Sequence, residues 1–125
     1  MSSVSPQREL TEGLSSVTDL KELAKCALGL QDVELQVYLA LLKRGRLTVK
    51  ELAAELGRSR PTIQRAVKNL VNRGLASRKE GIINRGGYYY IYEAAPPEKV
   101  KRIIKAKLEE HYSRILDILE REELK

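Results

Sequence analysis

The fold is decided by residues 48–74, which read TVKELAAELGRSRPTIQRAVKNLVNRG. Thr48 and Glu51 have the spacing of a capping box, in which each side chain accepts a hydrogen bond from the other residue's backbone amide. Gly57 suits the position that ends a helix, and Ser59 can cap the next one. A short helix, a tight turn and a longer helix therefore follow one another at helix-turn-helix spacing.

The longer helix, over residues 59–73, is predicted to bury one face and to expose a basic one. Its apolar residues recur at the spacing of a single helical stripe, namely Ile63, Ala66, Val67, Leu70 and Val71. Its polar residues fall on the other face, namely Arg60, Thr62, Gln64, Arg65, Lys68, Asn69 and Asn72. A cationic face attracts a polyanion, so a nucleic acid is the first partner to consider.

Net charge is unevenly distributed along the 125 residues. The chain carries +6 overall, from 23 basic and 17 acidic side chains. Residues 46–93 hold ten basic and four acidic side chains, whereas the segments on either side are close to neutral. The positive excess therefore coincides with the helix-turn-helix segment.

The composition, with 42% hydrophobic and 32% charged residues, is typical of a globular protein. No apolar run approaches the roughly 18 residues that a membrane-spanning helix needs. We therefore expect a cytoplasmic, nucleoid-associated protein without a membrane contact.

An enzymatic function is not expected. The chain has one histidine, His111, and one cysteine, Cys26, which is too little for a cysteine zinc cluster or a histidine-based hydrolase. The glycine pair at residues 86–87 is explained by a hairpin turn rather than by a phosphate-binding loop. We expect no cofactor and no metal, while a redox role for Cys26 stays open.

The segment after residue 74 changes from helical to strand periodicity. Residues 88–92 read YYYIY, a strong strand signal, and residues 75–80 supply a shorter partner strand. The turn residues between them predict a β-hairpin, a wing with Arg85 at its tip. We expect most of the tyrosines to pack within the wing, a stacking surface for single strands being the alternative.

The remaining residues complete a fold that is mostly α with a small β-hairpin. Residues 1–17 are polar and predict a disordered tail, and residues 18–95 form the main domain. Helices are predicted over about 18–28 and 31–44. The second of these has an apolar stripe of Val33, Val37, Tyr38, Leu41 and Leu42.

Residues 96–125 are predicted to form a long C-terminal helix for dimerisation. Its apolar residues recur at alternating spacings of four and three, as in a heptad seam. The seam consists of Ile104, Leu108, His111, Ile115 and Ile118, and is widened by Leu119. Because such a stripe is too broad to leave in water, we expect part of it to pack on its own domain and the rest on a second chain. The sequence leaves open whether the paired helices are parallel or antiparallel.

Seven stretches between residues 20 and 105 together match the sequence pattern of one protein family. They are Leu28-Gly29-Leu30, Val37 to Gly45, Thr48 to Ala53, Ser59-Arg60, Asn69-Leu70, Arg73-Gly74-Leu75 and Tyr92 to Glu98. Together they resemble the DNA-binding domain of the TrmB-like family of archaeal transcriptional regulators. MarR-like winged helices share several of the stretches, but the run from Tyr92 through the paired prolines favours TrmB. Gln31 departs from the family, which usually has Thr or Ser at that cap.

The resemblance implies a winged helix-turn-helix that binds double-stranded DNA. Arg60 and Arg65 are expected to contact guanine and Gln64 adenine, while Lys68 and Arg58 contact phosphates. The full set of expected DNA-binding residues is Arg58, Ser59, Arg60, Thr62, Gln64, Arg65, Lys68, Lys79 and Arg85. Longer family members carry a sugar-sensing domain that is not expected here, so no effector is implied.

Two other functions fit the same pattern. The winged helix could be a protein-interaction module of a larger assembly, or it could pack chromatin without reading sequence. The concentration of positive charge favours a nucleic-acid partner over the first of these. The operator, the regulated genes and the sign of regulation are not encoded in the pattern.

Overall fold

The computed structural model describes residues 20–82 and 88–122. The helices are α1 (Leu20–Leu28), α2 (Asp32–Arg44), α3 (Val49–Leu56), α4 (Arg60–Asn72) and α5 (Pro97–Arg121), and the strands are β1 (Ala76–Ile82) and β2 (Tyr88–Ala94). The predicted fold class, mostly α with a small β-hairpin wing and a long C-terminal helix, is confirmed. The predicted tail over residues 1–17 lies outside the described residues.

The chain divides into two compact units, of which Gln31–Val100 is one. Its core contains at least one apolar residue from each of α2, α3 and α4, together with Leu75, which precedes β1. The side chains with less than 2% exposure are Val37, Leu41, Leu52, Ile63, Val67, Leu70 and Leu75. The predicted stripe of α4 is confirmed at Ile63, Ala66, Val67 and Leu70, whereas Val71 is only half-buried.

The predicted caps of α3 and α4 are present. Thr48 Oγ1 accepts from the Glu51 amide at 3.2 Å, and Glu51 Oε1 accepts from the Thr48 amide at 2.9 Å. Gly57 ends α3 with φ of 63°, a left-handed conformation that glycine adopts without steric cost. Ser59 Oγ then accepts from the Thr62 amide at 3.3 Å. The turn of the helix-turn-helix is therefore fixed by local hydrogen bonds on both sides.

The wing is an antiparallel pair in which Ala76 lies opposite Ala94 and Ile82 opposite Tyr88. Its first strand is longer than the predicted 75–80, because pairing continues through residue 82. Leu47 also pairs with Tyr92, through backbone hydrogen bonds of 3.1 and 2.8 Å. The hairpin is thus joined to the segment that leads into α3. The predicted tip, with Arg85, lies outside the described residues.

The predicted apolar stripe of α2 is wrong at one position. Leu42 was expected in the stripe of α2 but is 44% exposed, and Glu34 is buried in that helix at 3% exposure. The stripe follows residues 34, 37 and 41, at spacings of three and four, and Leu42 falls beyond its edge.

Most of the tyrosines were expected to pack within the wing. Tyr92 is buried at 7% exposure, but Tyr89 and Tyr90 are 37% and 40% exposed. Tyr92 pairs with the buried Leu47, whereas Tyr89 and Tyr90 lie nearer the hairpin end of the strand, away from this contact.

The other unit contains α1 and the part of α5 from Lys101 onward. Its buried residues include Ala24, Leu28 and Ile104, the last at 3% exposure. Ile104 belongs to the predicted seam of α5, part of which was expected to pack on the chain's own domain, and the chain itself covers this side chain. None of the helices in residues 20–82 and 88–122 is both long and apolar enough to cross a membrane.

Tyr38 connects α2 with the segment that follows β2. Its hydroxyl donates to the Ala95 carbonyl at 2.8 Å, and burial raises the pKa of this phenol above its ordinary value. The protonated hydroxyl is the form that donates, so the hydrogen bond and the raised pKa favour the same neutral state.

We predict that Tyr38→Phe lowers the free energy of unfolding by about 1 kcal/mol at neutral pH. The folded-state pKa is higher than the unfolded value of about 10, so this contribution is complete below that pH and is lost as pH rises through the folded-state pKa. Urea unfolding at neutral and strongly alkaline pH measures both effects. Tyr112→Phe is the control, because Tyr112 is 63% exposed. Equal stabilities of the two variants at neutral pH would contradict the prediction.

Candidate nucleic-acid interface

The N-terminal end of α4 is exposed and carries basic side chains. Arg58, Ser59 and Arg60 are all exposed where the turn enters the helix. Thr62 is half-buried, and its Oγ1 accepts from the Ser59 hydroxyl at 2.8 Å. Thr62 was expected to contact DNA. In this structure its hydroxyl accepts a hydrogen bond from the residue that caps α4.

The outward side of α4 has the predicted polar character. Gln64, Arg65 and Lys68 are exposed, whereas the apolar stripe on the opposite side of the helix is buried. The chain carries no acidic residue between Glu55 and Glu80. The exposed side of α4 is therefore cationic from Arg60 to Lys68.

A cleft of about 500 Å³ lies beside this surface. Three segments form it, namely the start of α3, the first half of α4 and strand β2. The lining residues are Thr48, Val49, Lys50, Arg60, Gln64, Tyr89, Tyr90 and Tyr92. We name this site the α4–wing cleft. A concave site with two cationic groups, an amide and tyrosine side chains can take both the phosphates and the sugar edges of a nucleic acid.

Lys50 and the exposed tyrosines are residues that the sequence analysis did not select. Lys50 lies in the first turn of α3 and is exposed. A usable signal was its place in the first turn of α3, where a cation is unfavourable at the positive end of the helix dipole and so has no stabilising role there. The exposure of Tyr89 and Tyr90 had no comparable signal, since alternation alone does not show which part of a strand is covered.

The ring of Tyr90 is held by a neighbouring cation. The guanidinium carbon of Arg78 lies 4.4 Å from the centroid of that ring. Because alternate strand residues share a face, Arg78 and Tyr90 project from the same side of the wing. Arg78 therefore has a packing role in addition to its charge.

Gly81 allows the ring of Tyr89 to lie across β1. A Cβ atom at Gly81 would overlap Cζ of Tyr89, well inside van der Waals contact. A residue larger than glycine would displace this ring and change the wall of the α4–wing cleft.

The predicted DNA-binding residues are only partly brought together. Arg60 and Gln64 line the α4–wing cleft, and Arg65 and Lys68 are exposed further along α4. Lys79 projects from the opposite face of the wing, where it lines a small depression with Arg46, Ser77, Ile91 and Glu93. Arg85 lies outside the described residues. Within the residues that the structure describes, no group of histidine, cysteine and acidic side chains could hold a metal ion.

The family model described as "Sugar-specific transcriptional regulator TrmB" matches residues 24–98. Two uncharacterised proteins of Methanocaldococcus jannaschii are also similar. One is 46% identical over 88 residues, covering 70% of this chain and 67% of the relative. The other is 38% identical over 96 residues, covering 77% and 79%.

Solved structures show the same fold. A possible transcriptional regulator from Methanosarcina mazei matches with a TM-score of 0.76 and 26% identity, over 83% of this chain and 88% of that one. A protein from the archaeon Sulfolobus tokodaii matches with a TM-score of 0.64 and 20% identity, over 76% and 93%. The family match covers more than half of the chain and coincides with the helix-turn-helix and its wing, so the chain belongs to the TrmB family of transcriptional regulators.

Proposed function

We propose that this protein is a dimeric, sequence-specific regulator that binds double-stranded DNA. The observation that carries the proposal is the cationic outward face of α4 beside the α4–wing cleft, within a chain of a transcription-regulator family. An α-helix fits the major groove of B-form DNA, and helix-turn-helix proteins place their second helix there. In this protein that helix is α4.

Base contacts are assigned to the N-terminal half of α4. The guanidinium groups of Arg60 and Arg65 can each donate two hydrogen bonds to guanine, and the Gln64 amide can pair with adenine. All three side chains are exposed, and two of them line the α4–wing cleft. These residues therefore carry the proposed sequence preference.

Phosphate contacts are assigned to side chains around this group. Lys68 and Arg58 are exposed beside the base-reading residues, and the cap at Ser59 lies at the N-terminus of α4, the positive end of the helix dipole. Lys50 adds a contact from α3. From the wing, Lys79 on its outer face is assigned to the backbone or the minor groove, as is Arg85, which lies outside the described residues.

Selection of bound duplexes from a random pool tests the function. A consensus with two-fold symmetry is expected, because a dimer presents two copies of α4. Recovery of duplexes without a consensus would indicate a chromatin-packing protein. If no duplex is recovered, the winged helix serves protein interaction and the proposal is wrong.

Two alanine variants separate the proposed roles. Arg65→Ala should weaken the preference for the selected sequence and reduce its affinity by about 1–3 kcal/mol. Lys68→Ala should weaken binding to all duplexes equally and reduce the slope of log affinity against log salt by about one. Fluorescence anisotropy over a salt series measures both quantities. Lys43→Ala is the control, because this exposed lysine lies in the last turn of α2, outside the proposed interface. Identical behaviour of the Arg65 and Lys68 variants would refute the role assignment.

The partner proposed for the C-terminal part of α5 is a second copy of the chain. Its apolar side chains include Tyr112, Leu116, Ile118 and Leu119, which are 63%, 38%, 43% and 71% exposed. Leu108, His111 and Ile115 of the predicted seam are half-buried. A stripe that continues this far along one helix matches the repeat by which identical helices pair.

We predict that Leu119→Glu converts the dimer to a monomer at micromolar concentration, because a carboxylate would be buried in the seam. Sedimentation equilibrium gives the molar mass. Arg121→Gln is the matched control, since it changes the net charge by the same amount on the opposite side of the helix. A dimer that persists in Leu119→Glu would place the interface elsewhere.

A further inference from the structure

Glu34 is a buried carboxylate that joins two helices. Its side chain lies near the start of α2, and the residue is only 3% exposed. Oε1 accepts from the Gln31 amide at 2.9 Å, and Oε2 accepts from Nδ2 of Asn69, on α4, at 2.7 Å. Both carboxylate oxygens are therefore used, one within α2 and one across to α4.

The burial of the Glu34 carboxylate is energetically unfavourable in itself. Burial of a charged group is unfavourable unless it is well paired, and both donors here are neutral amides. Glu34 is the N3 residue of α2, so its hydrogen bond from the Gln31 amide is half of a capping box and stabilises the start of that helix. The cap uses one carboxylate oxygen; the second, which accepts from Asn69, adds a directional contact between α2 and α4.

The hydrogen bond between Glu34 and Asn69 lies at the edge of α4 that carries Arg65. Asn69 lies one turn after Arg65, so both residues are on the same side of the helix. Arg60 and Gln64 occupy the other edge, where they line the α4–wing cleft. The apolar stripe between the two edges holds α4 in the core, but apolar contacts are not directional. The hydrogen bond to Glu34 supplies a direction, because it requires one orientation of Asn69.

We propose that Glu34 is a positioning residue that fixes the rotation of α4 about its axis. Base recognition needs side chains held within about 10–20° of the productive geometry, whereas attraction to phosphates is not geometrically strict. Glu34 therefore sets how well the protein discriminates between DNA sequences and has little effect on non-specific binding. This inference rests on the proposed function.

The test uses the full-length chain and the ratio of its affinities for a selected duplex and a scrambled one. Asn69→Ala and Glu34→Leu both remove the link, and each should reduce this ratio about tenfold. Affinity for the scrambled duplex should stay within about twofold, because the phosphate contacts remain. The double variant should lose no more than either single variant, since both changes break the same hydrogen bond.

Glu34→Gln is the conservative variant. The glutamine oxygen can still accept from the Gln31 amide, and its NH₂ group can donate to the Asn69 carbonyl once that amide has turned over. The affinity ratio should therefore stay near that of the wild type. Gln36→Leu, at an exposed position of the same helix, is the control for the leucine substitution.

The outcomes separate this inference from the proposed function. If the wild-type protein shows no preference for a duplex sequence, the proposed function itself is wrong. If the wild-type protein discriminates between the two duplexes and Asn69→Ala discriminates equally well, only the proposed role of Glu34 is wrong. Circular dichroism verifies folding, and Asn69→Ala decides the question if Glu34→Leu does not fold, because residue 69 lies at the surface.

Discussion

The burial of one side of α4 is the constraint on which the rest of the structure depends. Ile63 and Leu70 are completely buried, with Ala66 and Val67 nearly so. A helix that buries these positions must turn the residues between them outward, since side chains three and four apart share a face. The same burial that stabilises the Gln31–Val100 unit therefore exposes Gln64, Arg65 and Lys68. The spacing of the apolar residues along α4 therefore decides both which side packs in the core and which side presents charged groups to solvent.

Two polar connections position the segments around this helix. The backbone pairing between Leu47 and Tyr92 joins the start of α3 to the wing, and the α4–wing cleft includes residues from both. On the other edge of α4, the carboxylate of Glu34 holds Asn69. Both connections are directional hydrogen bonds added to an apolar core. Apolar burial determines which side of α4 faces outward, and these hydrogen bonds restrict the orientation of the segments further, because they are directional whereas apolar contacts are not.

Much of the fold was predictable because its signals are local. The capping box at Thr48, the turn at Gly57 and the cap at Ser59 each depend on residues within three positions, and all were found where expected. Side chains whose surroundings come from distant segments were predicted less well. Leu42 was assigned to the buried stripe of α2 but is exposed, and Glu34 was overlooked as a buried residue. Most of the tyrosines were expected to pack within the wing, yet the rings of Tyr89 and Tyr90 are exposed.

The sequence by itself determined the order of helices and strands, the basic face of α4 and the family, because periodicity, caps and charge are properties of neighbouring residues. Only the tertiary structure decided that Lys50 and Tyr90 line one cleft with Arg60, and that a buried carboxylate on α2 holds α4. These contacts join residues far apart in the chain. Their geometry depends on how helices and strands pack, which no local pattern encodes.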